Sequence, residues 1–530
     1  MPIARHYKVI VCGAGPTGLM LANLLGSFDI DTLVVDRKSA TVQEPRAALI
    51  GDEALRSMQS AGLIDALLPT TLLDCGLHYD SATGQRLASA ETGSRSYGFP
   101  RQNGFRQTVL EAVLIRGFDR FPPLHLKFGF ELTAVSPDRD RVRVTLRRQD
   151  GRDVTATCDY LAACDGGDSF VRTALDIPFN GTPFRQRWIV IDLENTRDRN
   201  RAVRVTASAK RAMWSIPIHN GNRRYAFKLR GRETDETAES EDFCRTLLHA
   251  CGPDGGQPLL HRKVYTGQSG MAARRRAGRT FLLGDAACLA PPFVGQGMNN
   301  GIRDAHNLAW KLAAVIENVL PASLLDSYER ERGPHAAAFL ERSRTLAHLA
   351  APRMALSAWV DRIGMKLPAL VPGGRRKLDH IRNEPPPVYA EGFLAVPEDD
   401  TTGSVIGRMF PQPLVETASG SRFPLDGKLG GGFCLVAYSA DPDRALTCFE
   451  GLPPDLTRLC VTPTSVLPHF AGRLLVVRDV DSYLDTFVKG ERDIVFIIRP
   501  DRYVADAVKM KLNGHMAVRW DRLMGRTTGT

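Results

Sequence analysis

Short runs of apolar residues that end in glycine-containing or polar turns recur along the chain and predict buried strands. Four such runs are Val9–Cys12, Thr32–Val35, Tyr160–Ala163 and Thr280–Leu283. Continuous apolar runs bounded by turns are typical of strands covered on both faces, as in a parallel sheet. Val142–Leu146 instead alternates apolar with polar residues, which predicts a half-exposed strand. The pattern favours an α/β fold.

The first run continues into the turn Gly13–Gly18, with glycine at 13, 15 and 18, and then into an apolar helix over Leu19–Leu25. In this strand-turn-helix arrangement the first glycine permits the tight turn, the second admits phosphates close to the backbone, and the third packs the helix on the strand. Asp36 closes the second strand, where a carboxylate would bind a ribose hydroxyl and repel a 2′-phosphate. These residues predict a dinucleotide site for FAD or NAD.

Further along, the pattern divides the chain into regions. A strand-rich stretch covers Leu124–Leu146, and alternating strands from about 180 to 275 predict an inserted sheet that roofs a cavity. A glycine-lined approach opens a long helix over about Ile302–Ile316, and helical spacing continues to about residue 373. The proline-rich break Glu384–Pro387 predicts a linker.

The region from about 400 to 530 is predicted to be a separate α/β unit. Its strands are expected at Phe433–Tyr438, Arg473–Val477 and Asp493–Ile498, with a helix over Val504–Lys511. Because this unit has no Cys-x-x-Cys pair, we predict a structural or dimerising role for it rather than thiol exchange.

Composition restricts the class of protein. A chain of 530 residues is longer than one hydrophobic core usually spans, so two or three domains are expected. A content of 43% hydrophobic residues is usual for a globular protein. The ten cysteines have no metal-ligand spacing, so we interpret them as reduced thiols of a cytoplasmic protein without a metal site. No signal segment or membrane span is predicted. The net charge of +10 comes from dispersed basic residues, which disfavours nucleic acid and leaves open either an acidic small ligand or solubility alone.

Three separated motifs together resemble a known family. They are the glycine turn at 13–18, Asp165-Gly166 with Arg172 downstream, and Gly284-Asp285. In this order they are similar to the single-component FAD-dependent aromatic-ring monooxygenases, the family of 4-hydroxybenzoate and phenol hydroxylases. The resemblance implies a Rossmann-like FAD-binding domain with an inserted β-sheet substrate domain.

The implied boundaries are 1–180 and 276–385 for the FAD-binding domain and its helical segment, 181–275 for the sheet domain, and 400–530 for a thioredoxin-like C-terminal domain. Residues that the resemblance assigns to FAD are Gly13, Gly15, Gly18, Asp36, Arg37, Arg46, Gln107, Asp165, Gly166, Gly284, Asp285, Pro292, Gly297, Met298 and Asn299. Among them Asp285 is expected to hold the ribityl chain, and Pro292 with the following helix start is expected to hold the flavin ring.

The subgroup of 3-(3-hydroxyphenyl)propionate hydroxylases is the most similar. The shared segments are Glu44–Ala47, Asp52–Arg56, Phe99–Asn103 and Arg303–Leu312. One departure is Cys288, which stands where relatives commonly have His and which leaves the identity of the substrate open. The resemblance implies that NADH or NADPH docks transiently, that O₂ is the oxidant, and that a phenolic ring gains one oxygen atom.

Several choices stay open at this point. The relay that deprotonates the phenol is expected among His219, Tyr225 and Tyr97, each of which alone is more often a packed or surface residue. Candidates for a carboxylate-binding fork are Arg185, Arg187, Arg211 and Arg223, which are more often solvated. We expect Cys12, Cys164 and Cys288 to be small buried residues that pack in the core and have no redox role.

Alternative classes are a hydroxylase of another phenol or polyketide, a flavin-dependent halogenase, an NAD dehydrogenase and a flavin-bound scaffold. The halogenase reading depends on a Trp-x-Trp-x-Ile-Pro segment, of which Trp214–Pro217 retains only half. A dehydrogenase would leave the two later motifs without a use.

Overall fold

The structure is a computed structural model that describes residues 3–41, 46–90, 93–208, 210–291, 296–351, 385–464, 467, 474–510 and 515–526, with the backbone only at 182–185, 296 and 401. Residue contacts divide the chain into two units. The first comprises 1–93, 100–305 and 336–385, and the second comprises 94–99, 306–335 and 386–530. Residues 306–335, which the sequence analysis grouped with the FAD-binding domain, therefore pack with the C-terminal residues.

The described strands, in chain order, are β1 (His6–Cys12), β2 (Thr32–Asp36), β3 (Leu49–Gly51), β4 (Leu77–Ser81), β5 (Arg86–Ala90), β6 (Gln102–Gly104), β7 (Leu124–Phe128), β8 (Phe130–Pro137), β9 (Val142–Arg148), β10 (Asp153–Ala163), β11 (Phe179–Leu193), β12 (Val203–Ala207), β13 (Met213–Pro217), β14 (Arg223–Lys228), β15 (Leu259–Ala272), β16 (Arg276–Ala277), β17 (Thr280–Leu282), β18 (Cys288–Leu289), β19 (Leu414–Glu416), β20 (Arg422–Pro424), β21 (Cys434–Tyr438), β22 (Thr457–Thr462), β23 (Leu475–Asp479), β24 (Ile494–Ile498) and β25 (Val504–Lys509).

The described α-helices are α1 (Pro16–Gly26), α2 (Asp52–Ser60), α3 (Ile64–Leu67), α4 (Gln107–Arg116), α5 (Phe170–Ala174), α6 (Asp235–Glu239), α7 (Glu241–His249), α8 (Gln296–Ile316), α9 (Asp326–Ala350), α10 (Asp400–Gly403), α11 (Pro442–Cys448), α12 (Tyr483–Phe487) and α13 (His515–Leu523). The long helix α8 begins six residues before the predicted Ile302, so it includes Gly297 and Gly301, which were expected to precede it. The helical spacing predicted toward residue 373 lies beyond Ala351, outside the described residues.

The nucleotide sheet of the first unit has the strand order β16-β17-β10-β1-β2-β7, with β9 and β8 continuing from β10. β1 pairs in parallel with both β10 and β2, and β17 pairs in parallel with β10. The predicted apolar runs are these strands, and the carboxyl ends of parallel strands share one edge of the sheet. All three family motifs therefore meet at that edge.

The roof sheet of the first unit has the order β18-β15-β11-β14-β13-β12-β4-β5. Most of its pairs are antiparallel, and it includes β4 and β5 from well before the predicted 181–275 region. Because side chains alternate across a sheet, its two faces have separate apolar cores. One contains Trp188, Trp214 and Ala226, and the other contains Ile189, Tyr225 and Phe227.

The C-terminal residues form a third sheet, ordered β20-β19-β23-β22-β21-β24-β25. The helix predicted over Val504–Lys511 is wrong: Val504–Lys509 is strand β25, paired antiparallel with β24. A short apolar run does not distinguish helix from strand by its period, and here the free edge of β24 provides the backbone partners. The thioredoxin-like description of this unit stays a prediction.

Candidate cofactor and substrate site

A cavity of about 570 Å³ lies in the first unit. One end is lined by the glycine turn at 13–17 and by the residues after β2. The other end is lined by alternate residues of the roof sheet. A single space thus joins a nucleotide-binding turn to an apolar wall.

The glycine turn has the geometry that its sequence predicts. Gly13 has φ of +107°, and a Cβ there would collide with the carbonyl of Cys164. A Cβ at Gly18 would collide with the carbonyl of Gly13, because α1 packs close against the strand. At Gly15, by contrast, a Cβ would meet no atom within 4 Å. The space beside Gly15 is therefore part of the cavity, at the N-terminus of α1, where backbone N–H groups favour an anion.

Asp36 fixes this turn from the neighbouring strand. Its Oδ2 accepts from the N–H of Ala14 at 2.9 Å, and its Oδ1 accepts from the N–H of Lys38 at 2.9 Å. Because carboxylate oxygens have further lone pairs, Asp36 can also accept from a ribose hydroxyl in the cavity that it lines.

The dipeptide Arg46-Ala47 is held from two sides. Gln107 Oε1 accepts from the N–H groups of Arg46 and Ala47, at 2.9 and 2.7 Å. Arg224 Nη1 donates to the carbonyl of Arg46 at 2.8 Å. Arg224 is in turn bound by both oxygens of Asp192, at 2.6 and 2.8 Å. The backbone of this dipeptide is thus fixed, and its residues line the cavity.

Arg172 connects the two later motifs by hydrogen bonds. Arg172 donates to the carbonyls of Gly167 and Ala286, at 2.7 and 3.1 Å. Asp165 accepts from the N–H of Val171 at 3.1 Å, and its other carboxylate oxygen has no hydrogen-bond partner among the described residues.

Asp285 lines the same cavity and also has no hydrogen-bond partner within the part of the chain that the structure describes. Burial raises its pKa, and Arg46 acts in the opposite direction. Its side chain is partly exposed to the cavity, so its carboxyl oxygens can accept from the hydroxyl groups of a bound ligand.

Most of the residues predicted for FAD line this cavity. They are Gly13, Gly15, Asp36, Arg37, Arg46, Gln107, Asp165, Gly166, Asp285, Gly297 and Met298. Gly18, Gly284 and Asn299 are not among the residues that line the cavity. Asn299 instead holds the β3 backbone by accepting from the N–H of Gly51 at 3.0 Å. Pro292 lies outside the described residues. The position of these residues in one cavity is consistent with their assignment to FAD, which stays a prediction.

The roof-sheet end of the cavity is mainly apolar. Trp188 and Val190 of β11, Trp214 and Ile216 of β13, and Ala226 of β14 line it. In the sheet register Ala226 lies opposite both Trp214 and Val190. This wall has the flat aromatic and aliphatic surface that an aromatic ring requires.

The three candidates for the relay are not among the residues that line the cavity. Tyr225 faces the other core of the roof sheet, donates to Asp254 at 2.8 Å, and has its pKa raised by burial. His219 lies in a short turn after β13. Tyr97 belongs to the second unit, where it packs on Tyr389, Met409 and Tyr503. None of the three has geometry in its favour as a base.

Three of the four arginines expected to bind a carboxylate are not among the described residues that line the cavity. Arg187 pairs with Asp235, Arg211 pairs with Glu233, and Arg223 donates to Ser215 at 2.8 Å. The side chain of Arg185 is not described. The arginine that does reach the roof-sheet end is Arg224, one residue from a predicted one. Its place at the cavity follows from alternation along β14, a signal that the sequence contains but that needs the strand's orientation to be used.

The cysteines near the motifs differ in their surroundings. Cys12 and Cys164 line the cavity, and burial raises the pKa of both thiols well above the usual value, as expected for unreactive thiols. Cys288 is buried in a small apolar cluster with Ala336 and Leu340 and is not among the lining residues. The position at which the resemblance implies a histidine is therefore a packing position in this structure.

The sequence analysis did not single out two polar residues that line the cavity, Glu111 and Tyr265. Glu111 lies one helical turn after Gln107 in α4 and is 1% exposed. An acid four residues after a predicted ligand on the same helix face is a signal that could have identified it.

The geometry therefore fits FAD: an open position beside Gly15, the acid predicted to bind ribose and the acid predicted to bind the ribityl chain all line one cavity. Comparison with known proteins gives the class. Residues 6–343 match the family described as FAD binding domain, and residues 407–522 match the family described as HcaD C-terminal domain. The chain belongs to the family of FAD-dependent aromatic-ring monooxygenases.

Among characterised relatives, the chain is 35% identical over 510 residues to a 3-(3-hydroxy-phenyl)propionate/3-hydroxycinnamic acid hydroxylase of Mycolicibacterium smegmatis, covering 94% of this chain and 90% of that protein. A hydroxylase of the same name from Escherichia coli is 35% identical over 516 residues, covering 95% and 92%.

Solved structures show the same fold at lower identity. The flavin-dependent monooxygenase PieE, in complex with FAD and substrate, has a TM-score of 0.79 and 21% identity, covering 99% of this chain and 100% of that one. Aklavinone-11 hydroxylase, with FAD and aklavinone, has a TM-score of 0.77 and 21% identity over the same shares. Within the described residues, no helix has the length and apolar character required to cross a bilayer.

Proposed function

We propose that this enzyme hydroxylates 3-(3-hydroxyphenyl)propionate at a ring carbon ortho to its hydroxyl group, giving the catechol, with NADH or NADPH as the reductant. The observation that supports this most is the single cavity, which places an aromatic wall in the same space as the FAD motifs. The names of the 35% identical relatives support the choice of substrate.

FAD, when bound, supplies the redox chemistry and the activation of O₂. The protein positions the cofactor and the substrate and excludes water from the site. The Arg46-Ala47 dipeptide, fixed by Gln107 and Arg224, defines one boundary of the flavin site. The roof-sheet wall orients the phenol and excludes water, which would otherwise favour uncoupled release of hydrogen peroxide.

The carboxylate of this substrate needs an anchor, and among the described roof-sheet residues that line the cavity the arginine is Arg224. Its charge is compensated by Asp192, so it would bind an anion more weakly than an unpaired guanidinium. This observation favours a second candidate, the hydroxylation of a neutral phenol that lacks the carboxylate.

The deciding experiment measures NADH oxidation, oxygen uptake and catechol formation with the purified holoenzyme. The matched pair of substrates is 3-(3-hydroxyphenyl)propionate and 3-ethylphenol, which lacks the carboxylate. We expect the acid to stimulate coupled oxidation and the neutral phenol to be poorer or more uncoupled. Equal kcat/KM and coupling for both would favour the second candidate, and no stimulation by either would contradict the proposed function.

Four finer points have tests of their own. NADPH in place of NADH determines the preferred nicotinamide. Acid precipitation is expected to release all of the flavin, because no attachment motif for covalent FAD is recognisable. Size-exclusion chromatography with light scattering tests the homodimer that we propose as the role of the C-terminal unit, and fractionation of cells tests the proposed cytoplasmic location.

A further inference from the structure

We infer that Glu111 is a positioning residue of the FAD site, which acts through Gln107 on the backbone of Arg46-Ala47. The inference concerns cofactor binding. It is therefore independent of which phenol the enzyme hydroxylates.

Glu111, Gln107 and the Arg46-Ala47 backbone form a chain of hydrogen bonds. Gln107 Nε2 donates to Glu111 Oε1 at 2.8 Å. The other end of the same amide, Oε1, accepts from the N–H groups of Arg46 and Ala47 at 2.9 and 2.7 Å. Both ends of the Gln107 amide are thus engaged, and Glu111 holds the end that faces away from the dipeptide.

An amide group has a donor end and an acceptor end that differ little in shape. Without an acceptor at Glu111, the Gln107 amide could rotate so that Nε2 faced the N–H groups of Arg46 and Ala47, and donors would then face donors. The carboxyl of Glu111 removes this alternative, because Nε2 is the end that can donate to it. Orientation of a binding group by a neighbouring carboxylate is a common way to fix a site.

Burial makes this arrangement rigid. Glu111 is 1% exposed and Gln107 is 7% exposed, and they lie one turn apart at the start of α4. Glu111 Oε2 has no hydrogen-bond partner among the described residues, and burial raises the pKa of the carboxyl. Burying a carboxyl with one oxygen unpartnered is costly, so its presence beside the FAD motifs is explained by the orienting role of the other oxygen.

A packing role predicts something different from a positioning role, and a double-mutant cycle separates the two. The variants are Glu111→Met, which keeps the length of the side chain without a strong acceptor, Gln107→Met, and the double variant. The measurement is the Kd of FAD for the full-length apoprotein, from quenching of flavin fluorescence. Thermal unfolding of each apoprotein checks that it folds.

We expect Gln107→Met to weaken FAD binding about tenfold and Glu111→Met to weaken it about fivefold. In the Gln107→Met background, the second substitution should change Kd by less than about 1.5-fold, since the amide that it orients is gone. Glu111→Gln retains an acceptor for Nε2 and should keep the wild-type Kd within about twofold. Hydrogen exchange at the Arg46 and Ala47 amides should be faster in Glu111→Met and not in Glu111→Gln.

The inference is overturned by an unchanged Kd in Glu111→Met, by equal losses in the presence and absence of Gln107, or by a Glu111→Gln variant as defective as Glu111→Met. If Glu111→Met does not fold, Glu111→Leu takes its place in the cycle. Should neither fold, the Glu111→Gln comparison still decides, because a wild-type Kd and wild-type exchange at Arg46 and Ala47 are required of it.

Discussion

The two ends of the cavity recognise their ligands in different ways. At the nucleotide end, recognition depends mainly on backbone geometry. The turn at Gly13–Gly18 provides open space and N–H groups, and Asp36 fixes this turn by a hydrogen bond. At the roof-sheet end, the ligand would meet side chains such as Trp188 and Trp214, which come from different strands. The first end is nearly contiguous in sequence and the second is not.

This difference determines what each end can tolerate. A motif built on backbone has few acceptable substitutions, because a Cβ in the wrong place collides with protein or fills the ligand's space. A wall of alternating side chains can change one residue at a time and so change its substrate while the cofactor site stays intact.

The largest effect is expected at the nucleotide end, from Gly15→Val. Gly15 has φ of −83° and ψ of 179°, which valine can adopt, and a Cβ there meets no protein atom within 4 Å. The variant should therefore fold, yet weaken FAD binding more than about 100-fold by filling the space expected for the pyrophosphate. Flavin content after purification and the Kd of FAD are the measurements.

Gly231→Val is the matched control, since Gly231 is exposed and a Cβ there also meets nothing within 4 Å. It should bind FAD as the wild type does. If Gly15→Val retained wild-type FAD affinity, the open space beside Gly15 would not be the phosphate site.

The next effect concerns Asp285, which lines the cavity. Asp285→Ala should weaken FAD binding by about 1–3 kcal/mol, the cost of losing a buried hydrogen-bond partner. Asp285→Asn retains an acceptor and should lose less. An unchanged Kd of FAD in Asp285→Ala would show that this carboxyl does not hold the cofactor.

At the roof-sheet end, Ala226→Leu adds three carbon atoms between Trp214 and Val190. We expect the KM for 3-(3-hydroxyphenyl)propionate to rise about tenfold, by overpacking of the wall. The Kd of FAD, measured on the same preparation, should change much less. A loss of FAD affinity as large as the rise in KM would mean that the two ends are not separate in function.

The smallest effect is expected outside the cavity. Cys434, buried at the start of β21 in the second unit, should be replaceable by Ser with kcat/KM within about twofold of wild type. The reason is that its unit has no Cys-x-x-Cys pair and a buried thiol is a poor nucleophile. A large loss of turnover with normal FAD content and thermal stability would assign a chemical role to this thiol.

Prediction from sequence succeeded where neighbouring residues decide the structure. The strands at Val9–Cys12 and Thr280–Leu282, the turn between β1 and α1, and Asp36 beside it all follow from local pattern. It failed at Val504–Lys509, where pairing with β24 decided between helix and strand. It did not single out Arg224: Arg223 and Arg224 are adjacent in sequence, and of these two only Arg224 lines the cavity.

What the sequence by itself determined is thus the glycine turn and Asp36 at the nucleotide end, because φ angles and strand-end carboxylates are properties of short segments. Only the tertiary structure decided which face of each roof-sheet strand lines the cavity, that Asp192 compensates Arg224, and that Gln107 accepts from the backbone of Arg46. The physical reason is that each of these depends on strand register or on contacts between residues far apart in the chain, which no local pattern specifies.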